Sequence, residues 1–388
     1  MVVHAYYPLG ETRVEREALA LIEKGFEVDV ICLKDEGELS FENVDGVDVY
    51  RLPVMRNKGG FIKQFGEYLN FFVRVLFKLI SLHSKRKYQV IQVHNLPDFL
   101  VFSALYPKIR GAKVFLDIHD IMPEFFSSKT NKSMKSFLVR LIILQEQLSC
   151  RFADHIITVT EIWRERLINR GVDSGKVSVV MNVADERYFY PQNSGTESTD
   201  GQFCLIYHGT FKENYGMGDL IRSIGFAREK LPNIHLTIQG VGDYYTEMTR
   251  MVDELNLHNE ITINNFAVPV YDLPALINQA DLGVVPNRND IFNGELLPTK
   301  MLEYVALGKP VIAAKTRVIS HYFDETMVRF FEPSDPESLA DSIIDSYNHW
   351  DTEKKKKQNY QKFTSIYNWN LISKRYADLV RKYAQSAA

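Results

Sequence analysis

The chain is poor in cysteine, in net charge and in long apolar runs. Three cysteines in 388 residues, without a CxxC pair, exclude a disulfide framework and favour a reducing compartment such as the cytoplasm. A formal net charge of −3 excludes the global basic field that attracts nucleic acid. Charged side chains interrupt the most apolar stretch, residues 61–82, so the sequence predicts no transmembrane helix. The first residues also lack the basic and apolar pattern of a secretory signal.

The length and composition are those of a folded protein with more than one core. Hydrophobic residues make up 45% of the chain and charged residues 24%, which is close to the averages for globular domains. A chain of 388 residues is too long for one ordinary hydrophobic core. The sequence therefore predicts two domains.

Short apolar runs alternate with helix-length segments in both halves of the chain, which indicates βαβ units and parallel sheets covered on both faces. A polar stretch at 191–201 separates the two series and is interpreted as a linker or surface loop. Predicted strands cover 27–33, 90–94, 113–118 and 155–160 in the first series, and 203–208, 235–240, 261–263, 282–286 and 310–314 in the second. Predicted helices include 14–24, 133–152 and 218–230.

These patterns predict an α/β fold with two Rossmann-like domains, at residues 1–185 and 186–364. Residues 365–388 contain an amphipathic helix, which we expect to pack back toward the first domain. In sheets of this kind ligands bind beyond the carboxyl ends of the strands, so we expect a cleft between the two domains there.

The most informative spacing surrounds one short predicted helix. Pro298 and Thr299 mark its start, with Thr299 as N-cap, and Gly308 marks its end. The free N–H groups at a helix start bind phosphate, and Lys300 adds a positive charge at this one. A nucleotide diphosphate would fit there.

Two glutamates flank this helix start. Glu295 precedes the helix, and Glu303 lies on its second turn, four residues past the predicted N-cap rather than three, so a capping box does not explain it. Each carboxylate could accept hydrogen bonds from sugar hydroxyls, one on the transferred sugar and one on the ribose. The alternative is that both are ordinary solvated glutamates.

Glu295 and Glu303 are separated by seven residues, and the segment closes on LGKPVI at 307–312. This pattern resembles the signature of the retaining GT-B glycosyltransferases of family four. The resemblance extends over nearly the whole chain, through further segments in the family order. They are YYP at 6–8, GFEV at 25–28, DIHD at 117–120, NVAD at 182–185 and ADLGVVP at 280–286.

The resemblance implies roles for particular residues. In the family the first glutamate contacts the donor sugar and the second contacts the ribose, so these roles come to Glu295 and Glu303. His119 occupies the family's histidine position, which faces the donor sugar across the cleft; without the resemblance, a histidine paired with Asp117 or Asp120 is an equal interpretation. The other residues predicted to bind the donor are Lys300, Thr299, Pro298, Leu297, Gly209, Thr210, Gly240, Val268 and Gly10.

One family feature is missing from the loop after the first strand of the second domain. The family often places Arg and Lys there to neutralise the leaving diphosphate, and the aligned residues here are Thr210 and Tyr215. A departing diphosphate requires a positioned cation or hydrogen-bond donors. We predict that Lys212 in this loop, together with Lys300, supplies the charge, and we place Lys212 with Glu295 and His119 among the catalytic residues. The alternative for Lys212 is a plain surface lysine.

Residues 61–87 interleave aromatic and aliphatic side chains with six cations. A basic, aromatic helix of this kind can lie at a membrane interface beside anionic lipid. A core helix whose cations extend to solvent is the equal alternative. If the segment contacts a membrane, the acceptor is lipid-linked, as for enzymes that build cell-surface polysaccharide.

With the resemblance, these residues predict a retaining hexosyltransferase that uses a UDP- or GDP-sugar and a saccharide or lipid-linked saccharide acceptor. No HExxH motif and no cysteine cluster is present, and we predict a reaction without metal or cofactor. We expect the protein in the cytoplasm or at the inner face of the cell membrane. The alternatives are a nucleotide-sugar epimerase of the same fold, which needs no acceptor, and a non-catalytic subunit that binds the donor without turning it over.

Overall fold

The computed structural model describes residues 1–8, 11–56, 60–191 and 201–387. The chain divides into two compact units. The first comprises Met1–Asn182 with Asn370–Ala388, and the second comprises Val183–Trp369. The predicted boundary after residue 185 lies three residues beyond the one that the structure shows (185 − 182 = 3).

The first unit is an eight-stranded sheet with helices between its strands. Its elements up to residue 179 are β1 (Val2–Tyr6), α1 (Thr12–Glu23), β2 (Asp29–Leu33), β3 (Phe41–Val44), β4 (Val47–Leu52), α2 (Phe61–Arg86), β5 (Val90–His94), α3 (Leu105–Ile109), β6 (Lys113–Ile118), α4 (Met122–Thr130), α5 (Phe137–Phe152), β7 (His155–Thr158), α6 (Glu161–Asn169) and β8 (Val177–Val179).

The strands of this sheet lie in the order β3-β4-β2-β1-β5-β6-β7-β8. All neighbours pair in parallel except β3 and β4, which form an antiparallel edge hairpin. The residues of β2 and nearly all of β6 are buried, as expected for strands covered on both faces. The strand order reverses between β1 and β5, and in sheets of this kind ligands bind beyond the carboxyl ends of the strands at such a reversal.

The second unit is a six-stranded parallel sheet. Its elements are β9 (Phe203–Thr210), α7 (Met217–Ala227), β10 (Ile234–Val241), α8 (Tyr245–Glu254), β11 (Ile261–Asn265), α9 (Leu273–Asn278), β12 (Leu282–Val285), α10 (Thr299–Ala306), β13 (Val311–Ala314), α11 (Arg317–Tyr322), β14 (Arg329–Phe331), α12 (Pro336–Asn348), α13 (Trp350–Lys356) and α14 (Gln361–Thr364).

The order β11-β10-β9-β12-β13-β14 is the doubly wound Rossmann order, with its reversal between β9 and β12. The core of this unit is built from fully buried aliphatic side chains on the central strands and the helix that follows β9, among them Leu205, Leu236, Leu282 and Ile221. Short connections then bring the loops after β9 and β12 to the same edge of the sheet.

The last helix, α15 (Trp369–Gln385), packs in the first unit. Tyr376 is buried and donates a 2.7 Å hydrogen bond to Gln92 on β5. Tyr383 lies with its hydroxyl 3.0 Å from His155 Nδ1 on β7. The chain therefore leaves the first unit after residue 182 and returns to it at residue 370.

The structure corrects two local predictions and adds one hairpin. Thr299 is the first residue of α10, and the N-cap is Pro298, because the backbone of Pro298 is extended and helical geometry begins only at the next residue. The predicted helix 133–152 begins at Phe137, where the Ser136 hydroxyl accepts from the Val139 amide as N-cap. The hairpin of β3 and β4 was not predicted, because β3 is largely exposed and has no apolar run.

Within the described residues, no helix is both long enough and apolar enough to span a membrane.

Candidate active site

The reversal of strand order between β9 and β12 brings two loops together in the second unit. Gly209 and Thr210 end β9, and Pro286 directly follows β12. Gly216, in the loop after β9, approaches the loop after β12 so closely that a Cβ there would lie 1.8 Å from the Pro286 carbonyl oxygen. Its φ of +76° also favours glycine, so both the turn and the contact require this residue.

Gly240 near the end of β10 is explained by strand packing. A Cβ at this position would lie 1.8 Å from the carbonyl oxygen of Gly209 on β9. Gly242 has the same property toward Phe211, whose backbone nitrogen would be 2.6 Å away. The backbone of one strand thus fills the space that a side chain on the other would occupy, and a donor contact at Gly240 stays a prediction.

Lys300 is buried at the start of α10 and lies against the end of β9. A Cβ on Gly209 would be 3.5 Å from the Lys300 Nζ, which itself lies 4.9 Å from the ring centre of Tyr207 and 5.5 Å from that of Tyr215. In the part of the chain that the structure describes, this ammonium makes no hydrogen bond or ion pair. Burial lowers the pKa of Lys300 to about 8, and the negative charge of Glu303 partly opposes that shift.

Glu303 is held by a histidine from the neighbouring strand. Its Oε2 lies 2.6 Å from Nε2 of His208, whose Nδ1 lies 3.0 Å from the hydroxyl of Tyr304. The Tyr304 hydroxyl also donates to the carbonyl oxygen of Ile206 at 3.2 Å. The side chain of Glu303 is 16% exposed, so this network orients one carboxylate oxygen while the group stays accessible to a ligand.

Glu295 ends a one-turn 3₁₀ helix, Asn293–Glu295, in the loop before α10. The loop is shaped by Asp290, whose carboxylate accepts from the backbone amides of Phe292 and Asn293 at 2.8 and 2.9 Å. Glu295 is buried and accepts a 3.1 Å hydrogen bond from Arg317 at the start of α11. Glu295 and Lys300 therefore lie on either side of the short segment that joins this 3₁₀ helix to α10.

In the first unit, His119 follows β6 and is held by Asn95, which follows β5. The amide nitrogen of His119 donates to Asn95 Oδ1 at 3.0 Å, and its ring Nε2 contacts the Asn95 carbonyl oxygen. The Nδ2 group of Asn95 donates to Asp98 at 2.8 Å and to the carbonyl oxygen of Asp120 at 2.6 Å. Asn95 therefore positions both the backbone and the ring of His119.

Asp117 belongs instead to a buried ionic network. Its carboxylate accepts two hydrogen bonds from Arg13 and lies 3.0 Å from His94 Nδ1. Glu17, His94 and Asp117 are the one group in the described ranges whose ligating atoms lie close enough to hold a metal ion. Arg13 also pairs with Glu17 at 3.0 Å, and because its guanidinium already binds both carboxylates, this donor set does not suit a divalent cation.

Comparison with known proteins follows the same division of the chain. The family model described as Glycosyl transferase 4-like domain matches residues 10–182, and the one described as Glycosyl transferases group 1 matches residues 192–363. The chain belongs to the group 1 glycosyltransferases.

Relatives of this glycosyltransferase are distant in sequence but match it along most of its length. The chitobiosyldiphosphodolichol beta-mannosyltransferase of Candida glabrata is 24% identical over 95% of this chain and 88% of its own. Sucrose-phosphate synthase from Thermosynechococcus elongatus has a TM-score of 0.77 and 19% identity, covering 96% of this chain and 92% of its own. Anabaena HepE in complex with UDP and glucose has a TM-score of 0.71 and 16% identity, with 98% of each chain covered. The predicted GT-B fold is confirmed.

The two lysines predicted to replace the missing Arg and Lys of this glycosyltransferase meet at one aromatic ring. The Nζ of Lys212 lies 5.7 Å from the ring centre of Tyr215, and that of Lys300 lies 5.5 Å from it. Lys212 is exposed and Lys300 is buried. Tyr215 stands where the family often has a cation, and its ring is therefore close to both lysines that could supply the missing charge.

The remaining predicted donor residues divide by position. Leu297 and Pro298 are buried immediately before α10, whereas Thr299 is exposed. Val268 is half-buried in the loop after β11, two strands away from β9, where Gln239 donates to the carbonyl oxygen of Phe266 at 2.6 Å. Gly10 lies outside the described residues.

Sequence reasoning missed two residues that position the predicted ones, namely His208 and Arg317. His208 carries a weak signal, since it is a polar residue near the carboxyl end of an apolar strand. Arg317 has no such signal, because it follows β13 after two intervening residues and pairs across a loop.

Proposed function

We propose that this glycosyltransferase transfers a hexosyl group, with retention of configuration, from a UDP- or GDP-sugar to a hydroxyl of a saccharide or lipid-linked saccharide. The observation that carries the proposal is the Lys300 ammonium, buried without an ionic partner beside Gly209 and near Lys212. It lies at the edge of a doubly wound sheet where nucleotide diphosphates bind. A cation buried in this way costs free energy unless a ligand compensates it.

The diphosphate supplies that compensation. As the bond between the anomeric carbon and the phosphate oxygen breaks, negative charge develops on the leaving diphosphate, and a fixed cation stabilises it more in the transition state than in the bound donor. The negative ligand also raises the pKa of Lys300 back above its value of about 8, so that the ammonium stays protonated during the reaction.

The glutamates bind the two sugars of the donor in this proposal. Glu303, held by His208, accepts from the ribose hydroxyls, and Glu295, held by Arg317, accepts from a hydroxyl of the transferred sugar. The acceptor oxygen forms the new bond to the anomeric carbon, and its proton passes to an oxygen of the departing phosphate. No protein nucleophile is required. A contact of His119 with the transferred sugar follows from the family resemblance alone and stays a prediction.

The acceptor is proposed to be a lipid-linked saccharide at the inner face of the cell membrane. The name of the Candida glabrata relative specifies a dolichol-linked, diphosphate-containing acceptor, which supports this class. The predicted membrane contact through residues 61–87 belongs to the same proposal. The relative is a beta-mannosyltransferase by name, so the anomeric configuration of the product is a direct test of retention.

The test is donor binding and slow hydrolysis across a panel of UDP- and GDP-sugars, with wild type compared with Glu295→Ala and Glu303→Ala. One donor should bind and be released as free sugar and nucleotide. Glu303→Ala should weaken binding of both the donor and the free nucleotide, whereas Glu295→Ala should weaken only the donor. An epimerised nucleotide-sugar would instead identify an epimerase, and binding without any hydrolysis would identify a non-catalytic subunit. Absence of binding to every donor would refute the proposal.

A further inference from the structure

Helix α5 carries its apolar side chains on the outside. Its buried positions are Val139, Glu146, Ser149 and Cys150, of which only Val139 is aliphatic. A surface helix of a globular protein normally turns its apolar face toward the core, which is the opposite arrangement. The large apolar side chains of α5 that are 44–74% exposed are Phe137, Leu138, Leu141, Leu144 and Leu148. Folding of the first unit does not account for this stripe.

Helix α2 carries a second exposed stripe on the same unit. Phe65, Leu69 and Phe77 are 48–65% exposed and recur at intervals of four or eight residues, so they lie on one face. The opposite face of the helix is buried in the core through Phe71 and Val75. One face of α2 therefore packs in the core, and the face that carries Phe65, Leu69 and Phe77 is left at the surface.

The two stripes meet at an apolar groove of about 300 Å³. Phe65 and Tyr68 of α2 line one side, Leu138 and Leu141 of α5 line the other, and Phe126 of α4 also lines it. We call this feature, with the two stripes that lead into it, the α2/α5 groove. Exposed apolar surface of this extent on a folded unit marks an interaction site.

The rim of the groove is positively charged. Residues 125–145 contain Lys129, Lys132, Lys135 and Arg140 and no carboxylate, and all four cations are exposed. The acidic residues of α4 and α5, Glu124 and Glu146, are buried and paired with Arg170. The only carboxylate of α2, Glu67, is buried beside His4. The exposed charges that α4 and α5 contribute beside the groove are therefore positive.

The cations at the far end of 61–87 contribute less to this rim than the sequence suggests. Lys78 lies 4.2 Å from the ring centre of Tyr50 on β4, and Arg86 pairs with Asp48 on the same strand. Both are thus engaged within the first unit. The charge that accompanies the exposed leucines comes from residues 129–140, which run from the end of α4 to the start of α5.

We propose that the α2/α5 groove docks on an anionic lipid surface and takes up a hydrocarbon chain. Apolar stripes beside a rim of cations suit a layer whose interior is apolar and whose surface is negative, and a protein partner would not require this uniform positive rim. The proposal deepens the membrane contact of the proposed function and rests on that function for the identity of the lipid as acceptor.

Vesicle flotation tests the docking. Wild type should float with vesicles of phosphatidylcholine and about one third phosphatidylglycerol and bind pure phosphatidylcholine far more weakly. Replacing Lys132, Lys135 and Arg140 by Gln should weaken binding to the anionic vesicles about a hundredfold, at about fivefold per cation. Phe65→Glu should weaken it about tenfold or more. The matched control is Phe226→Glu, because Phe226 on α7 is 46% exposed and Phe65 is 49% exposed.

Fluorescence quenching tests the groove itself without disrupting it. The fluorescence of the tryptophan introduced by Leu141→Trp should be quenched when the phosphatidylcholine of the vesicles is replaced by its chain-brominated form. Phe226→Trp should not be quenched, and the native tryptophans of the wild type provide the background. Thermal unfolding of each variant establishes that it is folded.

The outcomes separate this proposal from the function. Groove variants that lose vesicle binding but keep donor hydrolysis support the docking site. Wild type that does not float with anionic vesicles, or groove variants that float as well as wild type, overturns it. A dimer that Phe65→Glu dissociates would assign the groove to a second copy of the chain and also overturn it. Failure of all donors to bind would refute only the proposed function, because flotation does not depend on turnover.

Discussion

At the scale of single residues, the environment of Lys300 decides its chemistry. A solvated lysine is protonated far above neutral pH, but burial between Gly209 and two tyrosine rings lowers the pKa of Lys300 to about 8. The helix signals around Pro298 indicated a phosphate site, and Lys300 was expected there. Its burial and its contact with the end of β9 depend on a neighbour that lies far away in sequence.

Lys300 should make diphosphate binding depend on pH. Only the protonated amine attracts the ligand, so the affinity for UDP should be constant below the pKa of about 8 and fall as pH rises above it, by up to about tenfold per pH unit. Calorimetric titration with UDP between about pH 6.5 and about pH 9.5 measures this affinity. Uridine, which has no phosphate, is the control ligand.

Lys300→Arg is the matched variant for this prediction, because a guanidinium keeps its proton throughout the range. Its affinity for UDP should not vary with pH, provided that its thermal unfolding matches that of wild type. An equal pH dependence in both proteins, or none in wild type, would contradict the assignment of the charge to Lys300.

At the scale of elements, β9 and α10 are joined through side chains at the site. His208 on β9 contacts both Glu303 and Tyr304 on α10, and Gly283 on β12 leaves room for the Tyr304 ring, which a Cβ there would approach to 2.5 Å. The orientation of Glu303 is thus a property of strand and helix together. A substitution on β9 should therefore change how the helix binds nucleotide.

His208→Ala should weaken donor binding about tenfold, since Glu303 loses the partner that holds its carboxylate, and a tenfold change corresponds to about 1.4 kcal/mol. The loss should be smaller when the donor lacks a ribose hydroxyl, because the contact in question is then already absent. The affinities of ribose and deoxyribose donors for wild type and for His208→Ala form a thermodynamic cycle that measures this coupling.

His235→Ala is the control for this substitution. His235 lies at the start of β10, where it contacts Thr262 rather than the site. Additive losses from His208→Ala and from removal of the ribose hydroxyl would show that His208 does not act through Glu303 on the ribose.

The elements themselves were predicted unevenly. The predicted strands 90–94 and 113–118 coincide with β5 and β6, because continuous apolar runs in central parallel strands are legible locally. The exposed strand β3 and the three-residue strand β8 have no such run and were missed. The sequence predicted α5 as a helix but not the exposure of its leucines. Periodicity shows that a helix has an apolar face but not whether that face turns toward the core or toward solvent.

At the scale of the whole molecule, we expect lysines, rather than a metal ion held by carboxylates, to neutralise the diphosphate. The chain has a formal net charge of only −3. In the residues that the structure covers, the one cluster of metal-ligating type, which includes Glu17 and Asp117, is already bound by Arg13. A reaction that needs no divalent cation stays a prediction from the sequence.

Removal of metal should therefore leave the activity unchanged. We expect donor hydrolysis after treatment with EDTA to stay within about twofold of the untreated rate, because Lys300 and Lys212 would carry the role that a metal plays elsewhere. The control is the same assay with added magnesium or manganese. A loss of activity that either ion restores would contradict this prediction.

The sequence by itself determined the class of the molecule. Alternating strands and helices specify two doubly wound sheets, and the segment from Glu295 to Glu303 carries the resemblance to the glycosyltransferase family, because both are local patterns. Only the tertiary structure decided that Lys300 meets the end of β9, that His208 holds Glu303, and that the leucines of α5 face outward. These features depend on which strands become neighbours and which helix faces are covered, and residues distant in sequence make those contacts only after the chain has folded.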